Sequence, residues 1–165
     1  LGSRGIVNGK ENGAFDAEGV VTRAEFLKMI VEIFGLQAET PSAAFSDVQE
    51  GDWYYHYVAT ASALGVAQGM GDGSFGAGAP ITRQDMAVLV ARAATAADKT
   101  LGEAGDLSRF TDAAEVGDYA AEALAQLVGA GIVGGDDKGA LNPINNATRA
   151  EAAKILCLVS NQVQG

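Results

Sequence analysis

The sequence predicts a mainly all-α fold assembled from helix–loop–helix units, and three observations carry that prediction. The tetrads "TRAE" at 22–25, "TRQD" at 82–85 and "TRAE" at 148–151 each precede an apolar run at helical spacing. A Thr three residues ahead of Glu or Asp is a helix start, because the Thr oxygen accepts an orphan backbone N–H and the acid reaches back to the Thr amide. The register also extends upstream: Gly5, Gly65 and Gly131 fall in equivalent places, as do Gly9, Gly69 and Gly135, and Phe15, Phe75 and Leu141. Self-similarity at offsets of 60 and 66 residues makes one supersecondary unit the building block.

Taken in order, the units are 1–35 (partial), 45–94 and 110–160, within a single domain of residues 1–165. In the first, residues 1–9 align with the end of a first helix, and the second helix starts at Thr22 with Phe26, Ile30, Ile33 and Phe34 on its apolar face. The unit lacks the opening and most of the first helix that the other two have. In the second, "FSDVQEGDW" leads into a helix with Trp53, Tyr57, Ala61 and Leu64 at i, i+4, i+8 and i+11, and Gly65 ends it as a left-handed cap. A glycine-rich loop, "VAQGMGDGSFGAGAP", then leads to the helix at Thr82. The third unit repeats this, with "FTD" at 110–112 for "FSD" at 45–47 and Tyr119 for Trp53. The stretches 35–44 and 94–108 are polar or small and read as linkers. One helix pair cannot bury its apolar face alone, so the units should pack on each other.

Capping leaves the second residue of each tetrad unexplained. Arg23, Arg83 and Arg149 sit in a first helical turn, where the helix dipole favours anions over cations. The chain has 11 Lys and Arg against 21 acidic residues, for a net charge of −10, so positive charge is scarce and placed. Either the arginines bridge to neighbouring carboxylates or they bind an anionic ligand. The same acidity disfavours nucleic acid, since no basic stripe exists to displace phosphate counterions. No run approaches the 18 apolar residues of a membrane span, and residues 1–13 lack the basic and apolar regions of a signal peptide, so membrane insertion is not expected and any secretion signal would lie upstream. The lone Cys157 excludes an internal disulfide and a cysteine-rich metal site.

Other motifs fail on context. "GDGSFG" at 71–76 has dinucleotide-loop spacing but follows a helix instead of a strand, and as a calcium loop it puts Gln68 and Ala79 where acids are needed. The "NAT" at 146–148 is a formal glycosylation sequon that helix capping explains. His56, the single histidine, has no repeated nucleophile beside it. A carboxylate pair such as Asp47 and Glu25 could in principle cleave a glycosidic bond, but its repetition in several grooves argues against catalysis.

The combination of Phe-x-Asp-Val, a Trp, a Gly-[Ile/Val]-x-x-Gly turn, an Asp-Gly-x-Phe loop and Thr-Arg-Ala-Glu resembles the surface-layer homology (SLH) repeat, and the resemblance covers nearly the whole chain. It implies a pseudo-threefold bundle with ligand grooves between repeats. It also implies a noncatalytic module, secreted to the bacterial cell wall or S-layer, that binds secondary wall polysaccharide, often bearing pyruvate ketals. Under it Arg23, Arg83 and Arg149 read the ligand, while Asp47, Asp112, Trp53 and Tyr119 line the facing wall; no cofactor or metal is implied.

A ketal carboxylate suits the planar guanidinium fork, and free amides at the helix start would add to its grip. The alternative is a self-assembling unit of a surface lattice, with the arginines in interchain salt bridges. If each groove joins the arginine of one unit to the Phe-x-Asp helix of the next, Arg23 should face 45–57 and Arg83 should face 110–123. Arg149 should then lie in an open groove, which an upstream helix or one from a second chain completes.

Overall fold

A computed structural model describes residues 19–38, 45–67, 72–99, 101 and 103–164. The expected roles of Gly5, Gly9, Phe15, Gly69 and the partial first helix at 1–9 lie outside the described residues. The described residues form five α-helices: α1 (Arg23–Phe34), α2 (Tyr55–Ala63), α3 (Arg83–Ala96), α4 (Asp118–Gly129) and α5 (Arg149–Gln164). Two short 3-10 turns at Leu107–Arg109 and Ala113–Glu115 precede α4. Among the described residues the only extended pairings are isolated bridges, so the fold is all-α as the periodicity predicts.

Each tetrad opens a helix. Thr22 Oγ1 accepts the Glu25 amide while Glu25 accepts the Thr22 amide at 2.9 Å, and Thr148 with Glu151 repeats the reciprocal pair. In the second unit Thr82 accepts the Asp85 amide, but Asp85, one methylene shorter, spends its carboxylate elsewhere.

The residues just before the three threonines form the hub. The Ile81 amide donates to Val21 O at 2.8 Å, Ala147 to Ile81 O at 2.9 Å, and Val21 to Ala147 O at 3.3 Å, a closed cycle of three side-chain-buried positions. The bridges Thr22 to Pro80, Thr82 to Asn146 and Val20 to Thr148 follow the same cycle. Three equivalent residues hydrogen-bonded head to tail give an approximate threefold relation among the starts of α1, α3 and α5. On the outside, α2 packs against α1 and α4 against α3 around one core that includes Phe26, Ile30, Phe75, Met86, Leu124 and Leu156.

The first helices differ from their predicted faces. The turn at 51–54 delays α2 to Tyr55, so Trp53 precedes the helix and is 57% exposed, and Leu64 is also exposed; Ala61 is buried as expected, joined by Val58 and Ala59. Gly65 and Gly131 take φ of 78° and 77° after their helices, the left-handed region expected of those caps. At the other linker, α3 runs through Ala96, beyond the boundary predicted at 94.

Candidate functional site

The three arginines are joined to the acid of the next unit. Arg23 Nη1 lies 3.0 Å from Asp85 Oδ2, Arg83 pairs with Glu151, and Arg149 Nη2 lies 3.2 Å from Glu25 Oε2, which closes the cycle. Each Glu divides its oxygens: Oε1 caps its own helix and Oε2 receives the neighbouring unit's arginine. The acid of the helix start therefore offsets the misplaced cation, and the dipole conflict disappears. Burial alone would raise the Glu25 carboxyl, but bonds from the Thr22 amide and the Arg149 guanidinium outweigh it and hold the pKa below the usual carboxylate value. All three ion pairs lie within one chain, so the arginines need no interchain partner to be neutralised.

The amides beside the arginines are also taken. Arg23 N donates to Ala79 O, Arg83 N to Asn145 O, Gln84 N to Pro143 O and Arg149 N to Gly19 O. This corrects the expectation of free helix-start amides for an anion, since backbone carbonyls of the next unit already satisfy them.

Asp47 and Asp112 organise the glycine-rich loops. Asp47 accepts the amides of Phe75, Gly76 and Ala77 at 2.8–2.9 Å, and Asp112 accepts those of Leu141 and Asn142 at 2.8 and 2.7 Å. The clamped loops present carbonyls to the arginines: Arg23 Nε donates to Phe75 O at 2.9 Å, and Arg83 Nη1 approaches Asn142 O at 3.5 Å. Arg23 and Arg83 thus reach the loops that Asp47 and Asp112 clamp, through Phe75 O and Asn142 O.

The aromatics do not follow that register. Tyr119 donates to Asp85 Oδ1 at 2.5 Å, accepts from Gln84 Nε2 at 3.0 Å, and so stands beside Arg23, not Arg83. Burial of its hydroxyl end, then the hydrogen bond and charge of Asp85, push the phenol up to about 12. The residue as a whole is 58% exposed. Trp53, also exposed, packs edge-on to Tyr54 at 5.3 Å.

The three arginines differ in accessibility. The side chains of Arg23 and Arg149 are 10% and 11% exposed, whereas Arg83 keeps 26%. Arg149 is therefore enclosed instead of lying in an open groove, because its partner Glu25 belongs to the second helix of the first unit and needs no first helix to reach it. Its Nε is buried and has no hydrogen-bond acceptor among the described residues.

Arg83 borders a cleft of about 200 Å³ between α3, α4, the 132–142 loop and α5, lined also by Glu151, Lys154, Ile155, Leu124 and Asp136. Lys154 carries no sequence signal apart from its place six residues after Thr148, where Lys28 and Val88 stand in the other units. His56 is an exposed helical residue, and no helix among the described residues is long and apolar enough to cross a membrane.

The profile of the S-layer homology domain matches residues 3–27, 44–87 and 109–153. An amylopullulanase of Thermoanaerobacterium thermosulfurigenes is 35% identical over 94% of this chain and 8% of its own length. Exoglucanase XynX of Acetivibrio thermocellus is 33% identical over 94% of this chain and 14% of its own length. The surface-layer 125 kDa protein of Lysinibacillus sphaericus is 30% identical over 92% of this chain and 13% of its own. The chain spans less than a fifth of any of these relatives.

Proposed function

Because the chain belongs to the S-layer homology domain family, whose members are cell-surface anchoring modules, we propose that it tethers a larger protein to the bacterial wall by seating an anionic, carboxylate-bearing wall polysaccharide in the Arg83 cleft. The observation that carries this reading is the difference among the arginines. Arg83 is the most exposed of the three, and its contact with Asn142 O, at 3.5 Å, is at the edge of hydrogen bonding, so it retains donor capacity facing a cleft of saccharide dimensions. Arg23, by contrast, is engaged by Phe75 O, Asp85 and the Phe75 ring 5.1 Å away.

In this reading Asp112 acts through the loop it clamps, and Asp47 does the same beside Arg23. Trp53 and Tyr119 offer exposed aromatic faces to sugar rings entering the neighbouring grooves. Arg23 and Arg149 hold the ring together and touch ligand at its margins. A pyruvate ketal is the carboxylate best matched to a guanidinium on a saccharide. The module itself is noncatalytic; where relatives are named as enzymes, the matching segment is a small part of their length. A further helix, from upstream residues or a second chain, is proposed as a partner completing the first unit.

The test is cosedimentation of the chain with cell walls before and after acid extraction of their secondary polymer. Binding that disappears with the polymer supports the tether. Equal binding to extracted walls overturns it, and sugar release from the walls would contradict the noncatalytic assignment.

A further inference from the structure

The Arg83 cleft contains a charge imbalance that the ring arginine cannot correct. Arg83 already faces the Glu151 carboxylate, and Asp136 lines the same cleft. Asp136 is held ionised by the amides of Ala140 and Lys138 and by the Asn142 side chain, which accounts for its lowered pKa. One guanidinium against two carboxylates would leave the lining net negative, which repels an acidic sugar.

Lys154, one turn along α5 from Glu151, lines the same cleft, is exposed, and makes no ion pair among the described residues. We propose that Lys154 is the specificity-determining cation of the Arg83 cleft: beside an Arg83 already shared with Glu151, it supplies the further positive charge that selects a carboxylate-bearing sugar over its neutral counterpart. This rests on the wall-polysaccharide reading and deepens it.

The repeats support a division of labour. The arginine recurs in all three units and is ion-paired in all three, as a structural joint requires. The residue six after the Thr varies. It is Lys154 at this cleft, Lys28 three residues after Glu25, and Val88, 6% exposed, three residues after Asp85. Lys28 rests 5.9 Å above the Tyr57 ring, a cation held at an aromatic face. Of the three positions, Lys154 is the one that lines the cleft beside the Arg83–Glu151 joint.

The experiment uses the full chain and three small probes: a methyl hexoside bearing a 4,6-linked pyruvate ketal, the methyl ester of that ketal, and the unmodified hexoside. Affinities are measured by calorimetry at low salt, with wall cosedimentation alongside. The wild type should prefer the acid to its ester, and Lys154→Gln should lower acid affinity by about tenfold, the size of one lost charge-assisted contact, while leaving the ester unchanged. Lys154→Arg should restore most of the preference. Because Lys154 is exposed, both variants should keep the wild-type circular dichroism and melting midpoint. If Lys154→Gln keeps the full preference for acid, or if the wild type binds walls without distinguishing acid from ester, the inference is overturned and the tether reading stands. If the wild type binds neither walls nor any probe, the tether reading itself is overturned and this inference with it.

Discussion

Arg149, at the start of the last helix, donates to Glu25 of the first helix across 124 positions of sequence at 3.2 Å. That contact closes a cycle whose other members are Arg23 with Asp85 and Arg83 with Glu151, and it lies over the backbone cycle of Val21, Ile81 and Ala147. Each tetrad thus supplies a cap to itself, an acid to the preceding unit and a base to the next. A repeat built this way is incomplete alone and is satisfied by a ring of three.

The ring predicts an ordered set of stability losses. Replacing Arg149 or Arg23 with Met strands a partly buried carboxylate and should cost about 1–3 kcal/mol, whereas Arg83→Met, at a more exposed pair, should cost about 1 kcal/mol or less. A double-mutant cycle of Arg149→Met with Glu25→Gln, followed by urea unfolding, should reveal a coupling energy of about 0.5–2 kcal/mol. Additive losses would mean that the two side chains act independently.

Asp85 gives a spectroscopic prediction. With the capping return of a Glu out of its reach, it receives Arg23 on one oxygen and the Tyr119 hydroxyl on the other. Asp85→Asn removes the charge and the strongest acceptor, so the phenol near 12 should fall towards the ordinary tyrosine value of about 10. Ultraviolet titration at tyrosinate absorbance measures it, with Tyr119→Phe identifying the transition. An unchanged titration would show that burial alone raises the phenol.

The helix starts were legible in the sequence because a capping box is local: its four residues interact with one another. The second role of the same acids was not, because it depends on which unit lies next in space, and nothing near Glu25 points to Arg149. The recurrence of arginine in a cation-poor chain flagged the positions without distinguishing a bridge from a ligand contact. The first-helix faces were misjudged for another reason. Trp53 is in phase with Tyr57 and Ala61 only if the helix already exists at 53, and the hydrogen bond from the Gln49 amide to the Asp52 carboxylate holds that stretch as a turn. Lys154 carried no motif at all, and only the cleft around it gives it meaning.

Asp47 and Glu25 give a pH prediction. Burial would raise the Asp47 carboxyl, but the amides of Phe75, Ala77 and Gly76 together hold it below its ordinary 3.8, and Glu25 is held below 4.5. A carboxyl with a depressed folded pKa contributes stability above its unfolded value and loses it as pH falls through the lowered folded one. Urea midpoints should therefore be flat from pH 7 to about 5 and decline below about 4.5. Asp47→Asn should lower the midpoint at pH 7, by about 1 kcal/mol because the carboxylate is partly solvated, and flatten the acid limb. An acid limb as steep as that of the wild type would assign the loss to other groups.

The cyclic register also locates where a completing helix would seat. Tyr119, from the first helix of unit three, reaches the acid of unit two beside the arginine of unit one. Advancing each by one unit, the aromatic that reaches Glu151 beside Arg83 would come from the first helix of unit one. Among the described residues Glu151 bonds only Thr148 and Arg83. On that register the proposed completing helix would seat at the mouth of the Arg83 cleft, against α5, whose Ile155 and Leu158 are partly buried. A chain extended upstream by its own encoded residues should unfold at higher urea, by about 1–3 kcal/mol for the apolar area newly covered, and should protect the Lys154 and Leu158 amides from hydrogen exchange. If a second chain supplies the helix instead, sedimentation should show dimers forming with concentration, with the same amides protected. Unchanged stability in the extended chain, together with a monomer at all concentrations, would mean that the α5 face is already complete.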